Sequence, residues 1–131
     1  MTQALDQTTD RTGQSKVGTM KKIEAVIRPE KLDEVRRAIE MVGYPGITIT
    51  EAEGHGKQKG VTQQWRGESY RVEFLPKIKL EIVVSSSDLE ETVQAIIKAA
   101  KTGSVGDGKI FVSDIQNVIR IRTGERGEGA I

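Results

Sequence analysis

The apolar residues of this chain change their spacing in a set order, and that order leaves few folds open. Residues 21–28, KKIEAVIR, place Ile23, Ala25 and Ile27 at every second position against Lys22, Glu24 and Val26, the period of a strand. Pro29 then fits the first turn of a helix, where its missing N–H has no partner to lose. Leu32, Val35, Ile39 and Val42 recur at helical spacing, with Asp33, Glu34, Arg36 and Arg37 directed away and Gly43 as the stop. A second strand is expected at roughly Gly46–Glu53, where Thr and Ile alternate.

Residues 54–71 keep no period and hold four glycines among many charges, so they read as a long loop of the functional kind. Beyond them Val72 and Phe74, then Ile78, Leu80, Ile82 and Val84, alternate with Lys77, Lys79, Glu81 and Val83, the clearest strand in the chain. Ser87-x-x-Glu90 has the form of a capping box. It opens a helix with Leu89, Val93, Ile96, Ile97 and Ala100 on one face. A short strand near Ile110–Ser113, a turn at Ser113–Gln116 and a last strand near Val118–Arg122 complete the pattern. The order β-α-β-β-α-β with an extra C-terminal strand predicts an α+β fold of the ferredoxin-like, split βαβ type: one antiparallel sheet with both helices on one face.

The chain has 131 residues, enough for one ordinary domain. Residues 1–19 are polar and without period, and are expected to be a disordered extension ahead of a folded domain at 20–131. Lys and Arg number 20 against 19 Asp and Glu, a net charge of +1, which argues against a dedicated nucleic-acid binder. Aromatic residues make up 4%, too few for a sheet on which bases stack. There is no cysteine, so disulfides and cysteine-based zinc sites are excluded. One histidine and no Ser-His-Asp or Cys-His set argue against an enzyme. No apolar run approaches the roughly 20 residues of a membrane span, and the N-terminus lacks an apolar signal core. A cytoplasmic protein is expected. A small domain with 36% apolar residues buries a modest core, so self-association is expected as well.

The stretch TGSVGDGKIFV, residues 102–112, carries the most chemistry. Gly103 and Gly108-Lys109 have the G-x-x-x-x-G-K spacing of a P-loop. A P-loop runs strand, loop, helix and follows its lysine with Ser or Thr. Here a helix enters, a strand leaves, and Ile110 follows Lys109, so the P-loop reading is rejected. Two readings remain open on the residues alone. Backbone N–H groups freed by glycine, with Lys109 beside them, suit an anion; a glycine-rich helix cap followed by a turn explains the same letters.

These motifs together resemble the PII nitrogen-regulatory signal-transduction family. T-x-x-x-G-D-G-K-I-F-V at 102–112 is similar to its C-terminal signature, and KKIEAVIRPEKLDEV to its first strand and helix. G-x-G-K-Q-K-G at 54–60 with F-L-P-K at 74–77 resembles the base and exit of its large T-loop, and V-I-R-I-R-T-G-E at 118–125 its C-terminal segment. The likeness covers residues 20–131, with a T-loop at about 55–73, a B-loop at about 102–109 and a C-loop at about 120–131.

The resemblance implies a homotrimer whose inter-subunit clefts bind ATP or ADP. By position, Gly106, Asp107, Gly108 and Lys109 would hold phosphates, with Arg120, Ile121 and Arg122 reaching in from the C-terminal segment. Two arginines two apart on a strand share a side, as a common polyphosphate requires. Thr48, Val83, Gly56, Lys57 and Gln58 would line the rest of the nucleotide site. With Mg-ATP the family binds 2-oxoglutarate, which Gln58, Lys59, Gly60, Lys77 and Gly106 would contact. Gln58 would also ligate Mg2+ alongside phosphate and effector oxygens, a water-bearing oxygen shell of the kind magnesium favours.

Ligand-dependent T-loop conformations would then control an ammonium transporter or a nitrogen-assimilation enzyme through Trp65 and Arg66, with any membrane contact made only through a channel partner. Read singly, Lys77 and the arginine pair are better explained as solvated strand charges, and Arg66 is equally well a solvated loop charge. The alternative within the same superfamily is an adenylate sensor that ignores 2-oxoglutarate. The loop apex departs from the family: Trp65 and Glu68 replace a tyrosine and a small residue, while Tyr70 keeps the position that is nucleotidylated in many relatives. Arg28 stands where a lysine is common, and His55 replaces a frequent aromatic.

Overall fold

A computed structural model describes residues 19–65 and 68–131, and over 54–65 and 68–74 it describes the backbone only. The extension expected at 1–19 lies outside the described residues except for Thr19. The elements are β1 (Met20–Ile27), α1 (Leu32–Val42), β2 (Thr48–Trp65), β3 (Glu68–Ser85), α2 (Leu89–Ala100) and β4 (Lys109–Asp114). The strands form one sheet in the order β2-β3-β1-β4, antiparallel throughout.

The alternation in β1 and β3 sorts their side chains onto two faces. Ile23, Ala25 and Ile27 meet Ile82, Leu80 and Ile78 across the β1–β3 ladder. They form a single core with Val35 and Ile39 of α1 and Ile96 and Ala100 of α2. Both helices therefore cover the same face and pack on each other. This is the expected ferredoxin-like arrangement. The other face carries Lys22, Glu24, Lys79 and Glu81, linked by ion pairs of Lys22 to Glu24 (3.1 Å) and Glu81 (3.0 Å) and of Lys79 to Glu81 (3.3 Å). Phe111 of β4 pairs with Glu24 on this face and is 54% exposed.

Gly43 ends α1 at φ 117°, as expected, and its N–H donates to the Glu40 carbonyl. Tyr44 then turns back, its hydroxyl bonded to Asp88 and accepting the Ser85 N–H at 3.1 Å.

Four expectations are corrected. The stretch 54–71 is not an irregular loop in the backbone: β2 and β3 pair through it from Gly54↔Leu75 to Lys59↔Tyr70, and again from Gln63↔Tyr70 to Trp65↔Glu68. The irregularity between Lys59 and Gln63 is all that interrupts the ladder. A ladder satisfies backbone groups whatever the side chains are, so no apolar period announces it. The Ser87–Glu90 capping box does not form, because Ser86–Asp88 make a 3-10 turn and Asp88 becomes the residue before α2, with no side-chain cap. On α2, Ile97 is 40% exposed and Thr92 is buried in its place, its hydroxyl donating to the Asp88 carbonyl at 2.7 Å. The strand expected at Val118–Arg122 is reduced to one antiparallel bridge, Ile119↔Arg126, because the chain turns back on itself at 121–124. Among the described residues, no helix is long and apolar enough to cross a membrane.

Candidate functional site

The loop between α2 and β4 is built around Asp107. Its Oδ2 accepts the backbone N–H groups of Thr102 and Gly103, each at 2.8 Å. Its Oδ1 accepts the Thr102 hydroxyl and, at 3.0 Å, Arg28 Nε. The Thr102 hydroxyl in turn accepts the Ser104 N–H at 3.2 Å. These donors favour the charged carboxylate, and the Thr102 hydroxyl foremost, with its N–H, Arg28 and the Gly103 N–H, holds Asp107 well below the usual carboxylate range. Asp107 thus spends its charge on folding the loop.

The glycines have a steric reason. Gly108 has φ 103°, and a Cβ built on it would lie 1.7 Å from the Val26 carbonyl oxygen of β1. Only glycine lets the loop lie this close to the sheet. Gly106, at φ 101°, faces the end of Arg28, whose Nη2 lies 3.3 Å from the place of a Cβ.

Two cations converge on this loop from the sheet. Arg28, just past β1, also donates from Nη2 to the Val105 carbonyl at 2.9 Å. Lys77, on β3, donates from Nζ to the Gly106 carbonyl at 2.6 Å. Lys77 and Gly106 were expected to share a ligand, and they are in direct contact. Lys109 opens β4 opposite Val26 with an exposed side chain. The order helix, loop, strand confirms that 103–109 is not a P-loop.

The remaining candidates lie elsewhere in the fold. Thr48 starts β2 opposite Glu81, and Val83 lies opposite Lys22, both on the face without helices. β2 and β4 are the two edge strands, so Thr48 and Lys109 stand at opposite edges of the sheet. Gly56, Lys57, Gln58 and Lys59 pair through their backbones with Glu73, Val72, Arg71 and Tyr70; Gly60 falls in the irregularity after Lys59. Trp65 ends β2 opposite Glu68, Tyr70 is in β3, and Arg66 lies outside the described residues.

Arg120 and Arg122 do not share a strand, since 121–123 form a turn in which Ile121 is fully exposed. Arg120 donates from Nη1 to Glu125 Oε1 at 2.7 Å and from Nη2 to the Gly129 carbonyl at 3.2 Å. The organising roles of Thr102 and Arg28 were missed in the sequence. The Thr102–Asp107 spacing is a local signal that could have revealed the first; the Arg28 contact spans 79 residues and had none.

A four-stranded antiparallel sheet flanked on one side by two helices, with a carboxylate-locked glycine loop clamped by two cations at one end, defines a ferredoxin-like α+β protein. Comparison narrows this to a family. The family model for "Nitrogen regulatory protein P-II" matches residues 20–125. Nitrogen regulatory protein P-II of Rhizobium meliloti (strain 1021) is 58% identical over 112 residues, covering 86% of this chain and all of that protein. Among solved structures, Arabidopsis thaliana PII bound to citrate is similar at TM-score 0.72 and 38% identity, over 87% of this chain and 94% of the other. The complex of B. subtilis GlnK with ATP is similar at TM-score 0.74 and 34% identity, over 89% of this chain and 100% of the other. The chain belongs to the nitrogen regulatory protein P-II family.

Proposed function

We propose that this chain is a signalling protein that reports nitrogen, carbon and energy status, binding ATP or ADP and, with Mg-ATP, 2-oxoglutarate. The observation that carries the reading is the loop 102–108, folded around Asp107 and clamped by Arg28 and Lys77, with Lys109 next in the chain. Glycine N–H groups and three cations gathered at one end of a sheet suit the phosphates of a nucleotide and the carboxylates of a dicarboxylate. The ATP complex of a structural neighbour over nearly its whole length supports the nucleotide.

The nucleotide site is assigned to Gly106, Gly108 and Lys109, to Arg120, Ile121 and Arg122, and to Thr48, Val83, Gly56, Lys57 and Gln58. Asp107 belongs to it as the residue that shapes the loop. The positions of Thr48 and Lys109 at opposite edges of one sheet support a site completed by a second copy, hence a homotrimer with clefts between subunits. The charged, partly apolar face without helices is the surface available for that contact.

2-Oxoglutarate is assigned to Lys77, Gly106, Gln58, Lys59 and Gly60. The loop itself offers magnesium no cage, since Asp107 is engaged by N–H and hydroxyl donors and the neighbouring groups are cations; the ion would enter with the nucleotide, and the Gln58 amide is the one ligand assigned to it from this chain. When bound it would supply neutralisation of the ligands' negative charge.

The β2–β3 hairpin is the output, meeting an ammonium transporter or a nitrogen-assimilation enzyme through Trp65 and Arg66. Trp is a frequent anchor at such contacts. Tyr70 is the candidate for modification. The protein acts as a cytoplasmic regulator rather than an enzyme.

One observation favours a second reading, an adenylate sensor without 2-oxoglutarate: the Lys77 amine is already engaged by the Gly106 carbonyl at 2.6 Å. Equilibrium titration with ATP and ADP, joined to sedimentation of the purified chain, tests the proposal. Trimers that bind both nucleotides are expected; monomers, or trimers that bind neither, would refute it.

A further inference from the structure

Arg120 is held by its own neighbourhood on every side that the C-terminal turn offers. Its backbone N–H donates to the Glu125 carbonyl at 2.8 Å, and its carbonyl accepts the Gly124 N–H at 2.7 Å. Its guanidinium gives Nη1 to Glu125 Oε1 at 2.7 Å and Nη2 to the Gly129 carbonyl at 3.2 Å.

The Glu125 carboxylate is seated as well. Its backbone N–H donates to the Thr123 hydroxyl at 3.2 Å, and its Oε2 packs 3.0 Å from where a Cβ on Gly129 would stand. The turn itself is anchored, because the buried Gly127 donates its N–H to the Val118 carbonyl at 3.0 Å and to Asn117 Oδ1 at 3.1 Å. An arginine placed to meet a phosphate therefore already carries an anion.

We propose that Glu125 is a competing counter-ion for Arg120, and that nucleotide phosphate takes the guanidinium by displacing the Glu125 carboxylate. The inference rests on the assignment of Arg120 to phosphate made above. Carboxylate and phosphate oxygens both match the planar fork of a guanidinium, so they compete for the same N–H groups. The pair is partly exposed, with side chains 38% and 46% accessible, so the hold is modest and exchange is feasible. Glu125 thus lowers nucleotide affinity and lets a polyphosphate of sufficient charge win the arginine.

The test is a double-substitution cycle on the full chain, read by equilibrium titration with ATP and with ADP at one ionic strength, with thermal melts as a check on folding. Glu125→Gln keeps the shape and removes the charge. It should tighten binding of both nucleotides by about two- to fivefold, the range of an exposed ion pair. In the Arg120→Gln background, which should itself bind ATP more weakly, adding Glu125→Gln should change nothing further.

Weaker binding by Glu125→Gln would overturn the proposal and make Glu125 a residue that positions Arg120. Unchanged binding by Glu125→Gln, with Arg120→Gln still weakened, would overturn it too. So would an equal gain in both backgrounds, which would be a general effect of charge. If Arg120→Gln binds ATP as the unaltered chain does, the phosphate assignment fails and takes this proposal with it.

Discussion

Arg28 Nε lies 3.0 Å from Asp107 Oδ1, tying the end of β1 to a loop 79 residues further along the chain. The contact makes the loop part of the sheet's end and not an appendage of α2. Lys77 reinforces it from β3 through the Gly106 carbonyl. The loop's carbonyls and carboxylate face the cations that a phosphate or a carboxylate would also seek. A ligand bound at this corner, as proposed, would exchange one set of partners for another, which is how a small ligand can shift a conformational balance.

Asp107→Asn should loosen the loop, and the loss should depend on pH. The folded chain holds the Asp107 carboxyl below its ordinary value, chiefly through the Thr102 hydroxyl. Its stabilisation is therefore complete above the ordinary carboxylate pKa of about 3.9, and is lost as the pH falls from there towards the lower folded value. Thermal melts should show a constant gap between the unaltered chain and Asp107→Asn from about pH 8 to 5, narrowing below about pH 4. A gap that stays constant into acid would contradict the assigned network.

Gly108→Ala should be severe for its size. The added methyl would sit 1.7 Å from the Val26 carbonyl oxygen at a φ of 103°. Strain of this kind costs on the order of 2 kcal/mol or more, before the clash is counted. Lower stability in denaturant titration together with lost nucleotide binding is expected. Gly103→Ala, at φ 91° with no atom within 4 Å of the new methyl, should cost less. Equal effects would mean that the close approach to β1 is unimportant.

Leu80→Ala tests the core. Leu80 is 1% exposed, pairs with Ala25 on β1, and shares a cluster with residues of both helices. Truncation should cost about 2–5 kcal/mol, read by chemical denaturation at fixed protein concentration. Ile49→Ala, its neighbour on β2 and 42% exposed, should cost well under half as much.

The elements that bury one face were legible, because burial writes a period into the sequence. β1, α1 and the second half of β3 stand where the apolar spacing put them, and β4 also forms where a short strand was expected, although only Ile110 of it is partly buried. The 54–71 hairpin was not legible, since its strands pair backbone to backbone and their residues show no apolar alternation. The Ser87–Glu90 motif misled because a local match cannot tell an α-helical first turn from the 3-10 turn that forms at Ser86–Asp88. At the site, the glycines and Lys109 were visible as a pattern. What they are for depended on Val26, Arg28 and Lys77, which no local window contains. Arg120 and Arg122 looked like a strand pair, but Arg120 precedes a turn that contains Arg122, and the Glu125 contact closes across it.

The most direct measurement is calorimetric titration of 2-oxoglutarate into the purified chain with magnesium and with ATP, with ADP or with no nucleotide. The account predicts heat of binding with Mg-ATP alone, abolished by Gln58→Ala and by Lys77→Met. Nucleotide binding with no response to 2-oxoglutarate in any condition would contradict it, and would leave Lys77 as a structural clamp on Gly106.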